Sequence, residues 1–175
     1  MQTRTSDRYR YSPPQEAGID ISPGDMKPYI ARFADLVEDK EIFPDIKTAP
    51  IGDRQHFHVI SPNAHLGPSG ITTPHQFHMS FLKVPPGHGA RLHAHRLPEV
   101  FTVLRGRFAI LWGNQAQHHV ELGEFDTISV PNNVMRTFRN IGDEEGLLQV
   151  IYDGGGEVLG EIFVQPADQD HEVQP

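Results

Sequence analysis

From about residue 50 onward, apolar and polar positions alternate over short runs broken by Gly, Pro and Asn. RQHFHVIS (54–61), HQFHMSFLKV (75–84), EVFTVLRG (99–106), RFAILWG (107–113), QHHVEL (117–122), DTISVP (126–131), RTFRN (136–140) and LLQVIYD (147–153) each carry the alternation or the β-branched and aromatic content of a strand. Many short strands separated by frequent turn signals predict an all-β sandwich or barrel. Arg105-Gly106 and Gly113-Asn114 read as hairpin turns. Ahead of this region the period changes. In SPGDMKPYIARFADLVEDKEIF, Met26, Ile30, Phe33 and Val37 recur at helical spacing, with Tyr29 and Leu36 flanking the stripe. Asp25 as N-cap and Pro28 in the first turn suit a helix start, so the spacing predicts one amphipathic helix from about 25 to 39.

The organisation that follows is a polar arm over 1–24, a single barrel domain with its helix over 25–164, and a loose tail over 165–175. The GGG at 154–156 reads as a bend, and no internal repeat is visible. At 175 residues the chain is long enough for one buried core. A formal net charge of −8 argues against a nucleic-acid partner, which would need a basic face. No basic run suggests a membrane surface, and no apolar stretch approaches the ~20 residues of a spanning helix. The first residues lack the apolar core of a secretory signal, so a cytoplasmic location is expected. With no cysteine, disulfides and thiolate metal sites are excluded. Any metal has to be held by histidine and carboxylate, which suits Fe, Mn, Ni, Cu or Zn.

The chemistry concentrates in GHGARLHAHRLPEVFTVLRG, residues 87–106. His93 and His95 are two apart, so on a strand they project from one face. Pro98 lets the chain bend and bring Glu99 to the same centre. Two imidazoles and one carboxylate make a facial triad for a divalent metal, with positions left open for substrate or dioxygen. Gly87 and Gly106 frame the stretch and suit tight turns. Histidine pairs also arise by chance in a chain with eleven histidines. HFH at 56–58 has no carboxylate at matching spacing and is read as structural; His118 and His119 are read as solvated. His78 falls on a strand expected to line the barrel, which makes it a candidate substrate contact.

Gly87, five residues, His93, one residue, His95, three residues, Glu99, six residues and Gly106 together resemble the first signature of the cupins at all five diagnostic positions. The resemblance implies a double-stranded β-helix (jelly-roll) barrel, one divalent transition metal inside it, and a homodimer. FDTISVPNNVMRTFRN at 125–140 is similar to the second signature. Pro131 and Asn140 match, and Asp126 stands where an acidic residue usually does. Phe125 and Asn133 take the places of two glycines, and Asn tolerates the left-handed backbone better than most residues. Arg136 stands where the family has its last metal-binding histidine. A guanidinium has no lone pair to give a metal. The site therefore keeps metal on three ligands, or recruits another histidine such as His78, or loses metal and lets Arg136 bind a carboxylate or enolate. An Arg136 turned outward into a surface ion pair is the fourth case.

Between about 77 and 160, LRGRFAILWG, SVPNNVMRTF and VIYDGGGE are similar to the quercetinase-type branch. That likeness implies oxygen-dependent ring or C–C cleavage, with the motif glutamate both touching the metal and taking a substrate proton. The expected function is a metal-dependent dioxygenase-type oxidoreductase acting on a small planar enol, diketone or phenol. His93, His95 and Glu99 would hold the metal, Glu99 would be the general base, and Arg136, His78, Phe101 and Phe138 would meet the substrate. The alternatives are a metal-poor cupin that binds a small anion through Arg136, and a cupin isomerase or decarboxylase.

Overall fold

The computed structural model describes residues 20–41, 52–153 and 163–164. Its strands are β1 (Glu38–Asp39), β2 (Gln55–Ile60), β3 (Ser69–Ile71), β4 (Phe77–Val84), β5 (His93–Ala94), β6 (Glu99–Arg105), β7 (Phe108–Trp112), β8 (His118–Leu122), β9 (Thr127–Val130), β10 (Arg136–Asn140), β11 (Gly146–Asp153) and β12 (Phe163–Val164). They form two facing sheets. One runs β1-β2-β4-β11-β6-β9 with β3 parallel to β2, and the other runs β12-β5-β10-β7-β8. Every pairing except β2–β3 is antiparallel, which gives the jelly-roll barrel. All eight strand-like runs of the sequence are strands here.

Strict alternation fixes which side chains enter the barrel. Along β4, burial alternates so that His78, Ser80, Leu82 and Val84 point in, and β6 sends in Glu99, Phe101 and Val103. On β11 the inward set is Leu148, Val150 and Tyr152. Phe101, Phe108, Ile110, Leu148 and Val150 are fully buried and join Phe138 in the main core cluster. Complete burial of side chains this size contributes about 1.5–3 kcal/mol each. The interior is therefore apolar over much of its length and polar where β6, β10 and β11 begin or end.

Two local expectations are corrected. A short helix is present, α1 (Pro23–Met26), with Ser22 as its N-cap: the Ser22 Oγ accepts from the Asp25 N–H at 3.2 Å. It does not run on to residue 39. Two 3-10 turns follow, Lys27–Tyr29 and Phe33–Asp35, and the backbone is extended between and after them, at Ile30, Arg32 and Leu36. Pro28 supplies no N–H to continue a helix begun at Pro23. This broken course places Phe33, at the start of the second turn, against Phe57 and Phe81, at ring separations of 5.0 and 6.2 Å. Arg105-Gly106 is not a hairpin turn. β6 pairs with β11 and β9, whereas β7 pairs with β10 and β8, so this turn carries the chain from one sheet to the other. Gly106 has φ +91° there, and Gly87 has φ +76° in the turn after β4. Gly113-Asn114 does join the antiparallel pair β7–β8. The bend at 154–156, the tail at 165–175 and residues 1–19 of the arm lie outside the described residues.

Candidate functional site

Strand register assembles the site. Arg136 opens β10 directly opposite His93 of β5, so the two side chains project from one face of their sheet. His95 follows two residues after His93 on that face. Glu99 opens β6 in the other sheet and lies opposite Tyr152 of β11. His93, His95 and Glu99 each offer a ligand atom within 4.8 Å of the other two. His95, Glu99 and Arg136 are buried, at 1, 2 and 0% exposure, and His93 is half-buried.

Hydrogen bonds fix which atoms can do chemistry. His93 Nδ1 is 2.7 Å from the Arg91 carbonyl. A carbonyl only accepts, so Nδ1 carries the hydrogen and the neutral ring keeps its lone pair on Nε2. Burial lowers the His93 pKa; the Glu99 charge and the Arg91 bond oppose this, and Arg136 and His95 add to it. For Glu99, burial pushes upward but is outweighed by the hydrogen bond with His95 and the positive field of His93, Arg136 and His95, so its pKa falls to about 2. Burial, with the charge and hydrogen bond of Glu99, holds the Tyr152 phenol well above its ordinary value.

Arg136 is tied down on all sides. Its Nε donates to Glu99 Oε2 at 2.9 Å, Nη1 to the Val134 carbonyl at 2.9 Å and Nη2 to the Leu97 carbonyl at 3.3 Å. Nη2 also lies 2.8 Å from His95 Nδ1 and closer still to His95 Nε2. A guanidinium has no acceptor, so the His95 nitrogen that meets it is the one with the lone pair. The surface ion pair expected as one outcome for Arg136 is thereby overturned: its head is wholly inside.

The donor types and spacing of the trio suit a divalent transition metal, and the carbonyl anchor on His93 Nδ1 is the orientation that a metal-binding imidazole takes. Arg136 undoes the fit. Its nitrogens rest on the Glu99 oxygen and the His95 ring, the atoms that would have to ligate. A doubly charged ion ~4 Å from a guanidinium would be repelled by about 8 kcal/mol at an effective dielectric of about 20, with one carboxylate to offset both charges. As arranged, these residues do not fit a metal ion.

His78 does not fill the gap. Among the described residues the trio stands without it. Its ring is 1% exposed, opposite Tyr152 in the β4–β11 pair, and neither ring nitrogen has a hydrogen-bond partner among the described residues. Burial lowers its pKa, helped by the charges of His58 and His65. Phe101 and Phe138, at 0 and 3% exposure with ring centroids 5.8 Å apart, are core side chains and form an apolar floor next to Glu99. Tyr152 was missed by sequence reasoning; its position in the alternation of LLQVIYD marks it as inward-facing, but its partner is visible only across the sheet. His58 is also buried, between Ser80 Oγ at 3.1 Å and Asp39 Oδ2 at 3.0 Å, outside the trio.

Residues 80–152 match the family model of the cupin domain. Among solved structures, the chain is similar to the polyketide cyclase RemF from Streptomyces resistomycificus, with TM-score 0.62, 15% identity, and coverage of 80% of this chain and 88% of that one. It is similar to a cupin-2 domain from Rhodospirillum rubrum, with TM-score 0.55, 18% identity and 77% of each chain covered. Oxalate decarboxylase of Bacillus subtilis, described with Mn(II) centres, gives TM-score 0.54 and 14% identity over 75% of this chain and 31% of that one. No curated protein sequence matches the chain.

Proposed function

The chain belongs to the cupin superfamily, and from that premise we propose that it is an enzyme that takes a proton from a small planar enol, diketone or phenol and holds the resulting anion. One observation carries the reading: the half-buried His93, with its lone pair on Nε2, faces the buried guanidinium of Arg136 across a single strand pair. His93 Nε2 accepts the C–H or O–H proton, the electron pair left behind spreads onto oxygen, and an Arg136 N–H donates to that oxygen. The four bonds of Arg136 account for four of its five N–H groups, so one Nη1 hydrogen is left for this task. Glu99, with a pKa of about 2, is a weak base; its role here is to hold Arg136 in place. His78 offers polar ring atoms to the substrate, and Phe101 and Phe138, with ring planes 55° apart, give an apolar surface beneath it. Reprotonation at another carbon gives isomerisation and attack on a second carbonyl gives cyclisation; release of CO2 from a β-keto acid gives the same kind of enolate without a prior proton removal, and protonation then completes a decarboxylation. Two of the structural neighbours, a polyketide cyclase and an oxalate decarboxylase, are enzymes, which supports an enzymatic reading.

The test is exchange of the acidic carbon-bound hydrogen of 1,3-diketones in deuterated water, followed by NMR with the purified chain. Exchange above buffer that disappears in His93→Ala and weakens in Arg136→Met supports the proposal. Buffer-rate exchange across diketones and phenols, with no binding detected, sinks it. A second reading, an oxygen-dependent dioxygenase with a divalent metal on His93, His95 and Glu99, is favoured by the spacing of the trio and requires Arg136 to leave the centre. Oxygen uptake with flavonols after loading with Fe, Mn, Ni, Cu or Zn decides for it. The proposal includes a homodimer, supported by the exposed apolar side chains Met26, Tyr29, Ile30, Phe33 and Val37, and checked by sedimentation at micromolar concentration. No helix among the described residues is long and apolar enough to cross a membrane.

A further inference from the structure

Arg136 does more at this site than leave a ligand position empty. We infer that its guanidinium is the resident cation of the barrel: it occupies the centre where His93, His95 and Glu99 converge, and it keeps metal out. The inference concerns the same site as the proposed enolisation, but it stands on placement alone and is read without any substrate.

Three features of the molecule carry it. First, the position is built. Arg136 is held opposite His93 by strand register, and β10 is clamped on its other side by β7, where Arg136 lies opposite Trp112. Its side chain has little freedom to choose another direction. Second, the head is bonded to the would-be ligands themselves, with Nε on Glu99 Oε2 at 2.9 Å and Nη2 on the His95 ring at 2.8 Å. The backbone carbonyls of Val134 and Leu97 take further N–H groups at 2.9 and 3.3 Å. These carbonyls belong to the loops that flank the site, so the head is gripped from both sides. Third, the charges balance. One guanidinium meets one carboxylate in a space closed to solvent, with exposures of 0 and 2%. A metal would have to displace the guanidinium and leave it buried without its carboxylate, or force it outward through packed residues.

A covalently attached cation also differs in kind from a bound one. It cannot be lost to a chelator, exchanged for another ion or reduced, and it offers planar N–H donors where a metal offers open coordination positions. The site therefore recognises an oxyanion by hydrogen bonds and performs no redox step of its own.

The untagged full chain, produced in medium supplemented with Fe, Mn, Ni, Cu and Zn, is tested by elemental analysis and by titration with Mn, Ni and Zn. The wild type is expected to carry far less than one ion per chain and to show no saturable binding. Arg136→His supplies a fourth ligand, the third imidazole nitrogen, and should hold roughly one ion per chain, with affinity at least about 100-fold above the wild type. Arg136→Ala, which opens the centre with three ligands, serves as a second variant should the first fail to fold; folding of each is checked by far-UV circular dichroism. Near-stoichiometric metal in the wild type that is lost in His93→Ala overturns the inference whatever the variants do. Folded Arg136→His and Arg136→Ala proteins that stay as empty as the wild type also overturn it, because something other than Arg136 would then exclude the ion. An absence of diketone exchange with a metal-free wild type and metal-binding variants would refute the enolisation reading and leave this inference standing.

Discussion

Breaking the Glu99–Arg136 pair from one side should be far more costly than removing it entirely. In Glu99→Gln the guanidinium keeps its place at 0% exposure but loses the carboxylate that receives its Nε at 2.9 Å. An uncompensated buried charge of this kind costs about 3–5 kcal/mol. The Tyr152 hydroxyl and His95 lose an ionised partner as well, which adds about 1 kcal/mol. The double variant Glu99→Leu with Arg136→Met removes both charges and fills the space with apolar groups. It should lie between wild-type stability and about 4 kcal/mol above it. Urea unfolding is the assay, followed through Trp112, the chain's one tryptophan, on β7 beside the site. With a slope of about 2 kcal/mol per molar urea, the single variant should lower the midpoint by about 2–3 M. A drop worth less than about 1 kcal/mol in Glu99→Gln would refute the reasoning, since values that small belong to solvent-exposed pairs. A double variant as unstable as the single would refute it too, because the loss would then be packing rather than charge.

Two further outcomes follow from other parts of the barrel. Phe125 has φ +69° and is 77% exposed, so it bears a left-handed backbone with almost no packing in return. Phe125→Gly should relieve about 1–2 kcal/mol of strain against about 0.5–1 kcal/mol of added chain entropy in the unfolded state, raising Tm by about 2 °C in calorimetry. An unchanged or lower Tm would mean that the exposed ring contributes to the folded state. His56, His58 and His78 all have pKa values lowered by burial, opposed at His58 by its bond and charge contact with Asp39. Between the lowered native values and the unfolded value of about 6.5, the unfolded chain binds more protons, so stability rises with pH in that window and falls as pH drops below about 6.5. Each such histidine contributes up to about 1.4 kcal/mol per pH unit, read as urea midpoints at pH 7.5, 6.5 and 5.5. A profile with no slope below pH 6.5 would contradict it, and His78→Phe should make the slope shallower.

The strands were legible because burial on one face leaves its period in the chain: β4, β6 and β11 alternate almost without exception. The helix over 25–39 was over-read from the same kind of evidence. Met26, Ile30, Phe33 and Val37 do share a helical spacing, yet all four are largely exposed, and the chain gains more by extending past Pro28 and laying Phe33 on Phe57. Turn chemistry could not separate the hairpin at Gly113 from the crossing at Gly106, because both need a left-handed glycine and only the pairing partners differ. At the site, the trio was legible because its spacing is local. The direction of Arg136 was not: an arginine opening a strand can face either way, and β5 and the Glu99 oxygen decide it from distant parts of the chain. Phe125 and Asn133, which stand where the resemblance expects glycines, both adopt the left-handed backbone that glycine favours, at φ +69° and +60°.

A guanidinium in place of a bound ion bears on what the proposed site can bind. A divalent ion concentrates two charges at a point and can stabilise the anion of a weakly acidic substrate. A guanidinium spreads one charge over three nitrogens, most of whose hydrogens are already committed to Glu99, His95, Val134 and Leu97. The stabilisation left for a substrate is that of one charge-assisted hydrogen bond, about 1.5–3 kcal/mol. Proton removal by a neutral imidazole is then feasible only where the substrate supplies most of its own anion stabilisation. A 1,3-diketone or an activated phenol does so by delocalising the charge over a second oxygen or an adjacent ring; a simple ketone does not. On the proposed reading, the arginine at the centre of the trio thus narrows the substrate to one that is already acidic and planar.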